Sequence, residues 1–376
     1  MLSMQQINEG LSKIILLDGV FFNPKMKTCR DISSLWISIL PKINILIDGF
    51  CASGIRGIRY KLENNNVKSL IFFDRSKKAI KNTKENLKLN KLKGEIFEGN
   101  SNQFFTNYQN FDFCEIDPFG SPAYYLDSVF WADWKQKRRF ISITATDTAI
   151  LCGAHKNACI KIYHSKPAHN FVCHEIGLRI LLGFIAKTAS KYDWGIIPHL
   201  TFYSLHFFKV FLEIEKSASK AISSVKNSNF FYLFCQNCFY QTFSSTPGFE
   251  KYCPVCGKTL SYAGPLWGGD LAKKNILEKM IKNYKTKKFL QSKELEKFLL
   301  TFKEEINVPY IYFDIHSLCS KYKLKPPALN KLLENLAKHG FLASRTTFSQ
   351  TAIRTNASVL ELIEIIKNLN SGAQNL

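Results

Sequence analysis

The motif Asp117-Pro118-Phe119-Gly120-Ser121-Pro122 ends a short apolar run and places a carboxylate, a proline and an aromatic ring side by side. Ligands of open α/β sheets bind beyond the carboxyl ends of the strands, so this position favours a site, although Asp-Pro can also simply end a strand. The set suits methylation of an exocyclic amine on a nucleobase. The Asp117 carboxylate and the Pro118 carbonyl would accept its N–H bonds and aim the lone pair, while Phe119 stacks on the base.

A glycine-containing loop, DGFCASGIRG at 48–57, follows an apolar run and opens a helix-like stretch. Its glycines do not have the dinucleotide-binding spacing, but exposed N–H groups there can contact a nucleotide cofactor. Asp74 ends the next run, where an acid can accept hydrogen bonds from a ribose diol. Both features occur in S-adenosylmethionine-dependent methyltransferases; the alternative is a tight turn beside an unrelated acid. The loop residues predicted to bind cofactor are Asp48, Gly49, Ser53 and Gly54.

Two CxxC pairs, Cys235/Cys238 and Cys253/Cys256, are separated by fourteen residues. Four thiolates at this spacing predict a tetrahedral Zn²⁺ site, and a site filled by protein ligands is structural. Unliganded thiols are the alternative. The other cysteines considered, Cys152, Cys159 and Cys173, lack a cluster spacing and are expected to be buried thiols. His174-Glu175 starts like HExxH, but Leu178 excludes that zinc motif.

The elements that must position these residues alternate between apolar runs and helix-like segments. This pattern predicts a parallel sheet with crossover helices, and hence an α/β fold. A helix is expected at 170–192, one strand-like stretch at 199–214 and a boundary in the polar stretch 216–229. The predicted strands are 43–50, 69–76, 94–100, 111–122 and 139–149, with a basic helix at 76–93.

The C-terminal part has a separate signature. ALNKLLENLAKHG at 328–340 is a helix with a leucine stripe, a short helix and a Pro-Pro turn precede it, and an alternating hairpin follows. This order predicts a winged-helix-like module, with a helical packing appendage as the alternative. We therefore expect two domains, 1–216 and 217–376. The second, an α+β domain, would contain a zinc ribbon at about 230–262 and helical and winged-helix-like parts at about 271–370.

The composition is strongly basic. Lys and Arg exceed Asp and Glu by 51 − 30 = 21 charges, which favours a polyanionic partner, although codon bias toward Lys and Asn would also explain it. The sequence has no run of about 18 apolar residues, so no membrane span is predicted. No basic leader precedes its first short apolar run, so no secretory signal is predicted. The expectation is a cytoplasmic protein without disulfides, and the sequence indicates neither an obligate protein partner nor an oligomeric state.

Taken together, segments spread along nearly the whole chain resemble the tRNA (guanine-26-N2)-dimethyltransferases. The matching segments are FFNPKMKTCRD (21–31), DGFCASGIRGIRY (48–60), EIDPFGSPAYYLDS (115–128), TATDTAILCG (144–153), CHEIGLRIL (173–181), the CxxC pairs, GPLWGGDL (264–271) and GFLASRT…AIRTNA (340–357). The resemblance implies a class I Rossmann-like methyltransferase domain, S-adenosylmethionine as methyl donor, and a C-terminal domain that helps to hold tRNA. The implied target is the amino group of guanine 26, methylated once or twice.

The resemblance also implies roles for individual residues. Arg30 and Arg56 would contact the cofactor and Asp74 its ribose, with Asn100 and Ser101 near the adenine. Asp117 would be the catalytic carboxylate, Phe119 would stack on the guanine, and Phe21 would be a second base contact. Asn100-Ser101 departs from the aspartate-alanine pair expected there, and the Asn100 side-chain carbonyl would accept from the adenine amine without a charge.

Two alternatives remain at this point. A non-catalytic nucleic-acid binder built on the cysteine cluster and the winged helix would explain the charge but leave Asp74 and Asp117 unused. An amino-methyltransferase acting on another nucleobase would use the same chemistry at Asp117. Binding of S-adenosylmethionine would distinguish the methyltransferase from the non-catalytic binder. A panel of substrates would distinguish guanine in tRNA from another nucleobase.

Overall fold

The structure is a computed structural model that describes residues 5–108, 110–131, 137–245 and 250–372. Its first part alternates strands with helices. In chain order these elements are β1 (Gln5–Glu9), β2 (Ser12–Leu16), α1 (Lys27–Ile37), β3 (Ile43–Gly49), α2 (Ile55–Glu63), β4 (Val67–Asp74), α3 (Lys77–Leu89), β5 (Glu95–Glu98), α4 (Ser101–Asn107), β6 (Phe113–Ile116), α5 (Ala123–Trp131), β7 (Arg138–Ala145), α6 (Thr148–Leu151), α7 (Lys156–Tyr163), α8 (Cys173–Ser190), β8 (Trp194–Ser204), β9 (Phe207–Lys216) and α9 (Ala218–Asn227).

A seven-stranded sheet organises this part, in the order β5-β4-β3-β6-β7-β9-β8. The strands β3 to β7 are parallel, and β9 runs antiparallel to both of its neighbours. Their apolar side chains are buried in two clusters, which include Ile47 and Ile143 in one and Leu46 and Phe72 in the other. Because parallel strands end at one edge, the predicted site residues of β3, β4 and β6 come together there. The α/β fold class is confirmed.

Three segments have structure that the sequence-based prediction did not resolve. The strand-like character of 199–214 is confirmed, and the stretch forms most of the hairpin β8–β9, which reverses at Leu205 and His206. The polar stretch 216–229 contains the helix α9, whose first turn Ser217 caps and whose inner face buries Ala221. The helical part predicted from about residue 271 begins with two helices, because Ser292 caps a new helix after the first one ends.

The second part contains two small sheets and flanking helices. Its elements are β10 (Phe230–Phe234), β11 (Gln241–Ser244), β12 (Ser261–Leu266), α10 (Lys274–Thr286), α11 (Lys293–Glu305), β13 (Tyr312–Asp314), α12 (Ile315–Lys321), α13 (Leu329–Lys338), β14 (Ala343–Arg345), β15 (Ala352–Thr355) and α14 (Val359–Gly372). The sheet β11-β10-β12 carries the cysteine cluster. The helices α12 and α13 precede the antiparallel pair β14–β15, so the predicted winged-helix-like order is present.

A buried ionic network joins this module to the helix α8. Arg354 on β15 pairs with Glu175 on α8 at 2.9 Å and with Glu305 on α11 at 2.7 Å. Arg179 donates to the same Glu175 at 2.9 Å. The predicted boundary between residues 216 and 217 stays a prediction, since hydrophobic packing and charge both continue across the two parts. Within the described ranges, each helix is too short or too polar to cross a bilayer.

Candidate active site

A cavity of about 780 Å³ lies at the carboxyl ends of the parallel strands, within the size range of small-molecule sites. It brings together most of the site residues predicted from the sequence. Those that line it are Phe21, Arg30, Asp48, Ser53, Arg56, Asp74, Asn100, Ser101, Asp117, Pro118 and Phe119. Gly49 and Gly54 are not among its lining residues.

The loop between β3 and α2 forms one wall in a constrained conformation. Phe50 and Ala52 have positive φ values of 60° and 49°, which side-chain-bearing residues rarely adopt and which cluster at functional sites. Asp74 holds the loop, because its Oδ2 accepts from the Ala52 N–H at 3.0 Å. Gly54 has a φ of 75°, and a Cβ there would lie 2.9 Å from Thr83. Glycine at position 54 therefore allows the 48–57 loop to pack closely against Thr83.

Asp117 faces the cavity but is ion-paired. Its Oδ2 accepts from Nε of Arg56 at 2.8 Å, and its side chain keeps 20% of its surface exposed. Burial would raise the pKa of Asp117, but the charges of Arg56 and Lys209 outweigh it and lower the pKa. The carboxylate is therefore charged at neutral pH and acts as a hydrogen-bond acceptor. Nη1 of Arg56 is buried at the cavity without a hydrogen-bond partner in the described chain, so it remains available to an anionic ligand group.

Two hydrogen bonds fix the loop that follows Asp117. Gly120 N–H donates to Oγ1 of Thr146 at 2.7 Å, and Thr146 N–H donates to the Gly120 carbonyl at 2.9 Å. The loop holds the Phe119 ring 74% exposed, edge-on to the half-exposed Phe21 at a centroid distance of 4.8 Å. Two exposed aromatic rings at the mouth of a cavity give a stacking surface for a planar ligand.

A buried cation lies beneath Asp117. Lys209 on β9 pairs with Glu115 and donates to Oγ1 of Thr144 at 2.9 Å. The charge of Lys209 also lowers the pKa of Asp117. Tyr60 donates to the other oxygen of Glu115 at 2.9 Å. This network holds in place the Lys209 charge that acts on Asp117.

We predict that Lys209→Met destabilises the protein by about 3–5 kcal/mol, because Glu115 is left buried without its charge partner. Equilibrium urea unfolding measures the change. Adding Glu115→Gln to Lys209→Met should recover part of the loss, since the uncompensated charge is removed. Lys226→Met, at an exposed position on α9, is the control and should leave the unfolding midpoint unchanged. A Lys209→Met protein as stable as the unsubstituted one would contradict the network.

Two more of the predicted cofactor residues, besides Asp48, Arg56 and Asp74, have partners within the chain. Oδ1 of Asn100 caps α4 by accepting from the N–H groups of Asn102 and Gln103 at 2.9 and 3.3 Å. Both bonds use the oxygen that the resemblance assigns to an adenine amine, so that role stays a prediction, and the amide nitrogen remains as a donor. Arg30 makes a bidentate pair with Glu9, both contacts at 2.6 Å, which fixes its guanidinium at the cavity wall.

The sequence did not reveal the wall formed by the β8–β9 turn. Leu205, His206 and Phe207 line the cavity because β9 starts beside the end of β7, where Phe208 pairs with Ala145. The antiparallel return places this turn at the carboxyl edge of the parallel strands. The only signal available was the break in apolar alternation at Leu205-His206.

The four cysteines predicted to bind zinc converge in the second part of the chain. Their sulfur atoms lie within 4.8 Å of one another, with Sγ–Sγ distances of 3.5 Å for Cys235–Cys256 and for Cys238–Cys253. Sulfurs about 2.3 Å from a tetrahedral zinc ion would be about 3.8 Å apart. The donor set therefore fits zinc in both type and spacing.

Comparison with known proteins places this geometry in a family. The family model of the N2,N2-dimethylguanosine tRNA methyltransferases matches residues 4–367. The chain belongs to this family. The N2,N2-dimethylguanosine tRNA methyltransferases similar to it include the tRNA (guanine(26)-N(2))-dimethyltransferase of Methanobrevibacter smithii, 36% identical over 98% of each chain. That of Thermococcus kodakarensis is 32% identical over 96% of this chain and 99% of its own.

A solved structure agrees with this chain in fold. It is described as the complex of Trm1 from Pyrococcus horikoshii with S-adenosyl-L-methionine. The TM-score is 0.86 at 31% identity, covering 96% of this chain and 99% of that one. The similarity therefore extends over both the seven-stranded sheet and the C-terminal part.

Proposed function

We propose that this protein transfers methyl groups from S-adenosylmethionine to the exocyclic amine of the guanine at position 26 of tRNA. The observation that carries the proposal is that Asp117, Pro118 and Phe119 share one cavity with the 48–57 loop and Asp74. Family membership supports the choice of tRNA guanine over another nucleobase.

The cavity residues fit the cofactor in charge and hydrogen-bonding capacity. Arg56 carries the unpartnered Nη1 near the N-terminus of α2, where a carboxylate is favoured. Asp74 would bind the ribose diol, and Asn100 and Ser101 would border the adenine. When bound, S-adenosylmethionine supplies an electrophilic methyl group.

The remaining residues orient the base. Asp117 and the Pro118 carbonyl would accept the N–H bonds of the guanine amine, which holds the nitrogen lone pair in line for transfer. Phe119 and Phe21 would stack on the ring. Because its pKa is lowered, Asp117 is a better hydrogen-bond acceptor than proton acceptor. The proton that the amine releases would pass to solvent at the open mouth of the cavity.

The function is tested with the purified full chain, labelled S-adenosylmethionine and unmodified tRNA transcripts, followed by nucleoside analysis. We expect N2-methylguanosine or its dimethyl form at position 26, and none in a transcript with adenosine at that position. Cofactor binding without N2-methylguanosine in any transcript would overturn the substrate. Absence of cofactor binding in calorimetry would favour the non-catalytic nucleic-acid binder.

We assign tRNA binding mainly to residues 217–376, in which α10 exposes lysines including Lys274, Lys279 and Lys282. Lysine contacts to phosphate release counterions, so binding weakens as salt increases. We predict that the tRNA association constant falls at least tenfold between 50 and 200 mM salt, on the order expected for several phosphate contacts. Filter binding measures this slope. A flat salt dependence would attribute the excess charge to codon bias instead.

Asp48 provides a pH test of cofactor binding. Burial raises its pKa to about 8, although Gly57 N–H donates to its Oδ2 at 2.8 Å and favours the charged form. At pH 7 the carboxyl group is mostly protonated, and a cationic cofactor in the cavity favours its ionised form. We therefore predict proton release on cofactor binding at pH 7, and affinity that rises with pH through about 8.

Calorimetry in buffers of different ionisation enthalpy measures the released proton. Asp48→Asn should abolish the buffer dependence while retaining the acceptor for Gly57 N–H. Binding enthalpies of the unsubstituted protein that do not depend on the buffer would contradict this role of Asp48.

We further propose that Cys235, Cys238, Cys253 and Cys256 bind one structural Zn²⁺. The fit of the four sulfurs supports this assignment. The ion would hold together the loops beside β10, β11 and β12, a segment too small for a large core of its own.

A further inference from the structure

Two thiols and an imidazole converge at a second place in the chain. The sulfur atoms of Cys152 and Cys173 and a ring nitrogen of His174 lie within 4.8 Å of one another. Cys152 directly follows α6, and the other two residues begin α8. No spacing motif indicates this group, because 20 residues separate Cys152 from Cys173.

The donor set has the chemistry of a thiophilic metal site. Two cysteine sulfurs and one histidine nitrogen bind Zn²⁺ in proteins and leave a fourth position open to water or another ligand. The three side chains are partly buried, so an ion can reach them from solvent. None of them lines the active-site cavity, so the group is distinct from the proposed cofactor site.

Neighbouring contacts orient the donors before an ion arrives. The Cys152 N–H donates to the Thr148 carbonyl at 2.8 Å, and the Cys152 carbonyl contacts Nδ1 of His169 at 3.1 Å. The His174 ring stacks on Tyr203 at a centroid distance of 3.9 Å and an interplanar angle of 12°. Ligands held in place in this way lose less conformational freedom on binding.

We propose that Cys152, Cys173 and His174 form a second metal site, which takes Zn²⁺ or a similarly thiophilic divalent ion. The site braces one wall of the active-site cavity. Tyr203, on which His174 stacks, donates its hydroxyl to the Leu205 carbonyl at 2.5 Å, and Leu205 lines the cavity at the β8–β9 turn. The metal site itself does not depend on the proposed function.

The first test counts metal ions in the full chain, purified under reducing conditions after growth with added zinc. Mass spectrometry of the metal should give two zinc ions per chain. Cys173→Ser should leave one, and so should Cys253→Ser in the four-cysteine cluster. The double variant should leave none. Cys159→Ser, a buried thiol outside both groups, is the control and should keep two.

A second measurement separates loss of a ligand from loss of folding. Cobalt(II) loaded into a variant in which Cys235, Cys238, Cys253 and Cys256 are all replaced with serine should give thiolate-to-metal charge-transfer absorption from the two-thiolate site. Cys173→Asp retains a metal-ligating group, so it should keep a bound ion but lose part of that absorption. Circular dichroism of each variant reports the fold independently.

Two results would overturn the proposal. One is equal zinc content in Cys173→Ser and the unsubstituted chain. The other is a Cys152–Cys173 disulfide in peptide maps of the unreduced protein, with no zinc bound beyond the four-cysteine cluster. That result would make the pair a redox couple instead of a metal site.

Discussion

Replacing Asp117 with alanine is expected to lower the methyl-transfer rate by about 10²–10⁴-fold, because the acceptor that orients the amine is lost. Cofactor affinity should change little, because the alanine variant removes no proposed cofactor contact. It only frees the Arg56 N–H group that donates to Asp117. Single-turnover transfer to tRNA measures the rate, and calorimetry measures the affinity. Asp117→Asn keeps the shape and one acceptor, so its loss should be smaller than that of the alanine variant.

Asp127→Asn is the matched control, because this carboxylate is exposed and pairs with Lys191 on the surface. Its activity should equal that of the unsubstituted enzyme. If Asp117→Ala instead loses the cofactor and retains turnover at saturating cofactor, Asp117 is a cofactor ligand. The assignment of the base-orienting role would then be wrong.

Removing one thiolate of the four-cysteine cluster is expected to unfold the segment around it. Zinc binding to such sites contributes about 10–16 kcal/mol of apparent free energy, which is far more than a short ribbon holds in its own core. We predict that Cys253→Ser loses hydrogen-exchange protection in β11 and in the two cysteine loops beside it, whereas β10 and β12 are also held by the large core. Protection in β3 and β4 should persist, because these strands lie inside the large sheet.

Cys319→Ser is the control for this variant. Cys319 is also buried in the C-terminal part but belongs to the hydrophobic cluster of α12 and α14. Its substitution should leave the ribbon protected. Full protection in Cys253→Ser, or the absence of zinc from the pure protein, would refute the structural zinc site.

Local patterns predicted the elements that are buried on both sides. The runs that became β3, β4 and β6 are short and apolar, and each ends at or beside an aspartate, which Gly49 follows in β3 and Pro118 follows after β6. The helix α9 was not predicted, because its polar segment becomes helical only with the Ser217 cap and a narrow buried face against α8. The break between β8 and β9 was missed because the alternation of the two strands is nearly continuous.

The site was predictable where adjacent residues do the chemistry, and less so where distant residues meet. Asp117 and Phe119 lie on one motif, and the cavity contains both. The pairing of Asp117 with Arg56 joins positions 61 residues apart, and Lys209 reaches the same network from an antiparallel strand. No spacing rule connects these positions, since only the sheet topology brings them together.

The charges shared by Glu175, Arg354 and Glu305 also limit how the enzyme can meet its substrate. Separating these buried ion pairs would leave charged groups without partners, which costs several kcal/mol, roughly 3–5 for one broken buried pair. A hinge motion between the winged-helix-like module and the catalytic sheet would therefore be unfavourable. The span from that module to the mouth of the cavity is consequently constant. If the module binds tRNA as proposed, the RNA would have to change shape to bring its base to the cavity, and the methylated nucleotide would be the one that lies within this distance.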